Sequence, residues 1–281
     1  MNTKAIIFLL LCLFSIDTVT SQTLDRTGNG YFYWGYNRAF YSASDITFSG
    51  EGYDFSVDRV LAFDKPTPYN SSIYFNPAKL TIPQFNFRLG YYINSKTSLS
   101  FGWEHMKYVV DDFQVVNING TIEGSASPSF AANYNEESIT LHPSNFLHFE
   151  HTDGLNYVRF NIDHHHELKS LWKDRIQLSY VLGAGTGLMM PQTDITLFGE
   201  RTNNNTKTYI QGFALSSNYG LKIDLFKHFY IQMIAHNGYI NMPAIRTRGD
   251  NADRASQEIW FMEYIGVFGA YFPIKKKEAL K

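Results

Sequence analysis

The sequence predicts an all-β fold, an antiparallel up-and-down transmembrane β-barrel of about eight strands with long extracellular loops. Three observations lead there. Apolar and polar residues alternate with period two in segment after segment, the joins between these segments are short and long in strict turn, and no later stretch reaches the ~18 apolar residues of a membrane helix. Composition fits: 16% of the 281 residues are aromatic although the mean hydropathy is only -0.24. The formal charge of -2 provides no basic field to hold nucleic acid, which is excluded as a partner.

Lys4, the apolar run Ala5 to Phe14 and the small residues Val19-Thr20-Ser21 before Gln22 read as a secretory signal peptide, residues 1–21. Residues 22–281 are then the barrel domain. The single cysteine, Cys12, lies inside the apolar run. Leu9, Leu10 and Leu11 before it stand where a lipidation site wants small residues, so the exported chain is expected to carry no cysteine and no disulfide.

The first strand, Tyr31 to Tyr41, is too aromatic for its faces to be assigned. From Gln84 to Ile93 the assignment is clear: Phe85, Phe87, Leu89, Tyr91 and Ile93 alternate with Gln84, Asn86, Arg88, Gly90 and Tyr92. After the turn Asn94-Ser95-Lys96, Leu99, Phe101 and Trp103 oppose Ser98, Ser100, Gly102 and Glu104, which makes a hairpin. Val158, Phe160 and Ile162 then oppose Tyr157, Arg159, Asn161 and Asp163, and Ile176, Leu178, Tyr180 and Leu182 oppose Arg175, Gln177, Ser179 and Gly183. Between Phe213 and Leu225 the odd positions are apolar except Ser217, and Phe229, Ile231, Met233 and Ala235 oppose Gln232 and His236. Ile259 to Phe272 closes the series and, like the first strand, is too aromatic for its faces to be assigned.

Joins 94–96, 167–173 and 226–228 are short, whereas 42–82, 109–153, 191–206 and 241–256 are long. This asymmetry gives an even strand count with both termini on the side of the short turns. Tyr53 to Phe63 and Phe113 to Glu123 also alternate like strands. They raise the wall above the membrane, or the count to ten.

The polar face is rich in Gly, Ser, Asn and Gln with isolated charges, and it is assigned to the lumen. Arg88, Glu104, Arg159, Lys222 and Glu263 are the candidate lumen charge network, since buried charges must pair. A soluble lipocalin-like binding barrel would reverse the two faces. Tyr91, Tyr92, Trp103, Tyr108, Tyr230, Tyr239, Trp260 and Tyr271, near strand ends, are expected to form interfacial girdles.

Tyr31-Phe32-Tyr33-Trp34-Gly35-Tyr36-Asn37-Arg38, Glu104-His105-Met106-Lys107-Tyr108, Phe149-Glu150-His151-Thr152-Asp153-Gly154-Leu155-Asn156-Tyr157 and Gly238-Tyr239-Ile240-Asn241-Met242-Pro243 resemble outer-membrane β-barrel proteins of Bacteroidota, particularly flavobacteria. The resemblance implies a cell outer membrane location and a small barrel, and it carries no enzymatic role. The chain departs from the proteobacterial pattern by continuing past the terminal aromatic Phe272 into a basic tail from Lys275 to Lys281.

Candidate chemistry is sparse. Asp163-His164-His165-His166-Glu167 offers metal-ligand types, but in a strand only His164 and His166 share a face, and the run is read as a polar strand end entering a turn. Glu104-His105 and Glu150-His151 offer acid-base pairs for a lipid A acyl hydrolase or acyltransferase, yet adjacent residues face apart and no G-x-S-x-G motif is present. Gly183-Ala184-Gly185-Thr186-Gly187 lacks the Lys-Ser/Thr of a phosphate loop and is read as small residues where lumen contents crowd the wall. The first two loops carry Asp45, Glu51, Asp54, Asp111, Asp112, Glu136 and Glu137, which could support cation-bridged contacts. Neither a cofactor nor a metal is assigned. The expected role is structural or loop-mediated binding, with a narrow solute pore second and lipid A chemistry third. Expected partners are outer-membrane lipid and lipopolysaccharide, the barrel assembly machinery and an external ligand left open, with the chain a monomer.

Overall fold

Period-two alternation produces strands, and strands with one apolar and one polar face must segregate those faces. The computed structural model describes residues 25–76, 78–172, 175–203, 209–248 and 252–274. The expected signal peptide, the cysteine and the basic tail lie outside them.

The strands are β1 (Asn29–Tyr41), β2 (Ser44–Gly50), β3 (Tyr53–Val60), β4 (Ala62–Phe63), β5 (Phe85–Tyr92), β6 (Thr97–Val110), β7 (Val115–Ile122), β8 (Ala132–Thr140), β9 (Leu147–Leu171), β10 (Ile176–Pro191), β11 (Asp194–Leu197), β12 (Glu200–Asn203), β13 (Gly212–Leu225), β14 (Phe229–Arg246) and β15 (Arg254–Pro273). One short helix, α1 (Ser71–Tyr74), lies in the first long connection, and no described helix is long and apolar enough to cross a membrane. Eight strands form a ring in the order β1, β5, β6, β9, β10, β13, β14, β15, closed by β15 on β1 from Asn29↔Pro273 to Tyr41↔Phe261. Every pairing is antiparallel, and consecutive ring strands are neighbours, so the ring is an up-and-down barrel with no open edge.

Short turns gather at one rim, here the lower, and long connections at the other. At the upper rim β1 ends and β2 takes its place on β15, pairing Ser49–Ile46 with Arg254–Gln257. From β2 the sheet runs on through β3, β7 and β8, while β11 and β12 extend it from β9. The two loop segments predicted as strands are therefore β3 and β7. They extend the wall and leave the ring at eight.

Outside the ring the apolar side chains form a continuous exposed belt, with Phe160 66%, Leu221 59%, Met233 60% and Phe268 53% exposed. So large an apolar surface is unsuited to water and suited to lipid. The buried run Ser98, Ser100 and Glu104 faces the lumen from β6, and farther up the same face carries Met106, Tyr108 and Val110. Those residues join Phe48, Phe55, Ile118, Phe146, Phe149 and Leu197 in an apolar core that fills the upper barrel mouth and the raised wall. At the junction β9 bulges: Met106 pairs with Leu155 but Tyr108 with His151, leaving Thr152, Asp153 and Gly154 outside the ladder.

The girdle assignment needs correction. Tyr92, Tyr108, Tyr230 and Tyr271 are buried at 9% exposure or less and point inward, whereas Trp103 and Trp260 lie on the outer wall. Parity decides it: Tyr92 follows Arg88 on the lumen face, Tyr230 precedes Gln232, and Tyr271 follows Glu263, in each case by an even number of residues.

Candidate functional site

Ring strands aim their polar side chains at one axis, so the lumen is where buried chemistry concentrates. At its middle Arg159 of β9 is fully buried and donates from Nη1 to Glu104 Oε1 at 2.9 Å. Arg88 bridges Glu104 Oε1 at 3.4 Å and Asp163 Oδ2 at 3.3 Å. Asn218 accepts from Arg159 Nη2 at 3.3 Å and donates to Asp163 Oδ1 at 3.0 Å. His236 donates from Nδ1 to Glu263 Oε2 at 2.7 Å, while its Nε2 faces Arg159 Nη1 within hydrogen-bond distance. The structure thus brings together four of the five candidate charges, Arg88, Glu104, Arg159 and Glu263, and adds Asp163 and His236.

Lys222 belongs to a separate cluster nearer the lower rim. Its Nζ lies 3.7 Å from Asp224 Oδ2 and 3.2 Å from Tyr92 Oη, and Arg26 Nη2 lies 3.1 Å from Asp224 Oδ1. Around these charges Tyr31, Tyr92, Tyr230 and Tyr271 pack ring on ring at 4.8 to 6.5 Å, with the Arg26 guanidinium 3.4 Å above the Tyr271 ring centroid. A void of about 10 Å³ between Tyr31, Tyr33, Arg88, Asp163 and Lys222 has room for about one water.

The glycine run of β10 explains how so much fits. A Cβ on Gly183 would stand 2.0 Å from Asp163 Oδ1, and one on Gly185 would stand 2.5 Å from Asn161 Oδ1 and 2.8 Å from Arg159 Nη2. The run is wall thinned to admit the network.

Glu104, His236 and Glu263 place ligand-type atoms within 4.8 Å of one another, all buried. Arg159 opposes a cation there. With His236 donating from Nδ1 and accepting at Nε2, neither ring nitrogen has a lone pair left for an ion, and the guanidinium already neutralises Glu104. The five-residue cluster at Asp163 divides as the strand period requires. Asp163 and His165 face inward, His165 hydrogen-bonding Ser98 Oγ at 2.9 Å, and His166 stacks on Tyr180 outside at 4.6 Å. It lies within the β9 ladder, which continues to Leu171, and is no strand end.

The acid-base pairs separate likewise. Glu104 enters the network while His105 donates from Nδ1 to Asn156 Oδ1 at 2.9 Å and stacks on Phe85 outside. Glu150 joins an ionic clasp above the belt: His148 lies 2.7 Å from Asp112 and 3.5 Å from Glu150, and Lys65 lies 3.2 Å from Glu150. The hydrogen bond to Glu150, with that to Asp112, raises His148 to about 8 against the opposing effect of burial. Burial alone would raise Glu150, but bonds from His148 and Thr152 and the Lys65 charge hold it at about 2. His151 is fully buried beside Tyr108 and Phe149 with no hydrogen-bond partner for either nitrogen among the described residues, and burial lowers it to about 3.

Known proteins match this chain only as solved structures of low similarity. The structural neighbours are bacterial outer-membrane β-barrel proteins. The attachment invasion locus protein Ail of Yersinia pestis is 13% identical with TM-score 0.33, covering 88% of this chain and 99% of its own. The outer membrane protein AlkL is 10% identical with TM-score 0.39, covering 94% and 99%. The outer membrane protein OprG of Pseudomonas aeruginosa is 10% identical with TM-score 0.36, covering 88% and 97%. No family model matches the sequence, and no curated protein matches it.

Proposed function

We propose that the protein is an integral outer-membrane barrel whose lumen is plugged by its own side chains and whose working surface is the cap raised above the bilayer, in a binding or structural role. The observation that carries this reading is the filled lumen: Arg159 is 0% exposed at mid-barrel, held by Glu104, Asn161, Asn218 and His236, with Glu263 behind the histidine. Such a network occupies the lumen at that level among the described residues, which counts against a broad pore. The lipid-suited belt supports residence in a membrane, and the export leader supports the outer one. The separation of Glu104 from His105 favours a non-enzymatic role. Kinship with Bacteroidota barrels remains part of this proposal and rests on the quoted motifs.

Cell fractionation with heat-modifiable gel mobility, followed by planar-bilayer recording, tests it. Recovery in the outer membrane, a folded band that shifts on boiling and an electrically silent bilayer are the expected results. Recovery in the soluble periplasm would overturn the location, and steady channel openings would overturn the plugged lumen.

A further inference from the structure

Where β1 hands over to β2, the outer wall is interrupted twice. On one side the chain leaves the ring at Ser42, whose Oγ accepts from Trp260 N at 3.1 Å. On the other, β14 bulges against β15 between Met242 and Ile245, with Pro243, which has no amide hydrogen to give a ladder, inside the bulge. Between these interruptions lies a cleft of about 670 Å³ at the upper edge of the apolar belt. That volume is within the range of small-ligand sites.

Its floor is aromatic: Tyr239 and Trp260 meet with ring centroids 5.2 Å apart at 51°, and the Trp260 ring is 62% exposed. Its walls are hydroxyls, an amide and carboxylates. Asn241 Nδ2 donates to Glu258 Oε1 at 2.8 Å and to Tyr239 Oη at 3.3 Å, which holds the acceptors upright beside the aromatic floor. Ser42, Thr47 and Ser256 supply hydroxyls, and among the described residues Asp45 and Glu258 are the only charged lining residues, both acidic. An aromatic plate presents a negative face to polarised C–H bonds, while carboxylate, amide and hydroxyl groups around its rim exchange hydrogen bonds with a ligand that has hydroxyls on every edge. The two carboxylates repel a phosphate.

We infer that this cleft binds a neutral saccharide ring, stacked on Trp260 and hydrogen-bonded by Glu258 and Asn241. The inference rests on the membrane reading above, because the cleft opens where the sugar headgroup of an outer-leaflet glycolipid would lie. A free oligosaccharide presents the same chemistry.

The test is isothermal titration of the full mature chain, in detergent with neutral gluco-, galacto- and manno-configured oligosaccharides, and in nanodiscs with and without lipopolysaccharide. A soluble oligosaccharide that binds in detergent identifies free glycan as sufficient. Binding confined to lipopolysaccharide nanodiscs identifies the glycolipid. In either case Trp260→Ala is expected to weaken binding at least tenfold and Glu258→Gln severalfold, with Trp260→Phe retaining most of the affinity. Trp103→Phe, on the outer wall but outside the cleft, should bind as wild type. Absence of binding in both formats, equal affinity in Trp260→Ala, or equal binding of inorganic phosphate would overturn the inference. A silent, heat-modifiable barrel that binds no sugar would leave the proposed function standing and reject only this site.

Discussion

Strand β6 passes through two regions that bury opposite chemistry. In the ring its lumen face is Ser98, Ser100 and Glu104 while Leu99, Phe101 and Trp103 face out, each 40% exposed or more. A few residues higher the same lumen face is Met106, Tyr108 and Val110, packed with Phe48, Phe55 and Phe149 as in a water-soluble protein. The parity of the strand is unchanged, and only the solvent outside has changed. Lipid accepts apolar groups on the wall and leaves the interior to ion pairs. Water requires the apolar groups inside. The ring is therefore held by a closed ladder and paired charges, the cap by ordinary hydrophobic burial.

Breaking one region at a time separates these two modes. Arg159→Met leaves Glu104 with only the longer Arg88 contact and strips His236, Asn161 and Asn218 of their guanidinium donor, and should destabilise the ring by about 3–5 kcal/mol, measured by urea titration in lipid vesicles. The double variant Arg159→Met with Glu104→Leu should recover much of that loss; if it falls further, the network is not held by charge pairing. In the cap, Phe55→Ala should cost about 3–5 kcal/mol, yet appear as lost protease resistance above the membrane with the heat-modifiable band retained. Loss of the folded band in this variant would show that ring and cap do not fold as distinguishable regions.

Acid sharpens the contrast through His151. Its neutral form is favoured in the folded cap, so its contribution is fully present above pH 6.5 and declines as pH falls toward about 3. The loss is roughly 2 kcal/mol by pH 5. Cap protease resistance should fall over that window in wild type and much less in His151→Leu. The smallest effect runs the other way: His148, raised to about 8, contributes its clasp fully below pH 6.5 and loses it as pH rises through 8. Partial exposure limits this to about 1 kcal/mol or less, read as a difference in cap stability between wild type and His148→Gln that closes by pH 9.

Much of the ring was legible because period two is a local property. The alternation through Gln84 to Trp103 and Phe213 to Leu225 gives the faces, and Arg88, Glu104 and Arg159 follow from parity as inward charges, while Glu263 follows from residue type in a segment too aromatic for its faces to be read. Tyr92 and Tyr230 belong by parity with Arg88 and Gln232 to the lumen faces and not to a girdle, whereas Tyr271 lies in a segment whose aromatic run conceals its parity. Asp163 and His236 also lay on assigned lumen faces, but their meeting with Arg159 depends on how the ring closes. The cap was less legible for the same reason. Tyr53↔Ile122 and Ser49↔Arg254 pair across large sequence separations, and the apolar core they enclose draws on connections that look like separate loops.

The sequence has no cysteine beyond Cys12, so a single-cysteine scan along β6 tests the central claim most directly. Cysteines replacing Leu99 and Phe101 should resist a water-soluble maleimide in intact vesicles and, once labelled with a fluorophore in detergent and reconstituted, be quenched by brominated lipid. A cysteine replacing Lys107, on the same outer face, should react with the aqueous reagent and escape the quencher. If Leu99→Cys and Phe101→Cys reacted with aqueous maleimide as fast as Lys107→Cys, the belt would face water, and the division between a lipid-facing ring and a water-facing cap would be contradicted.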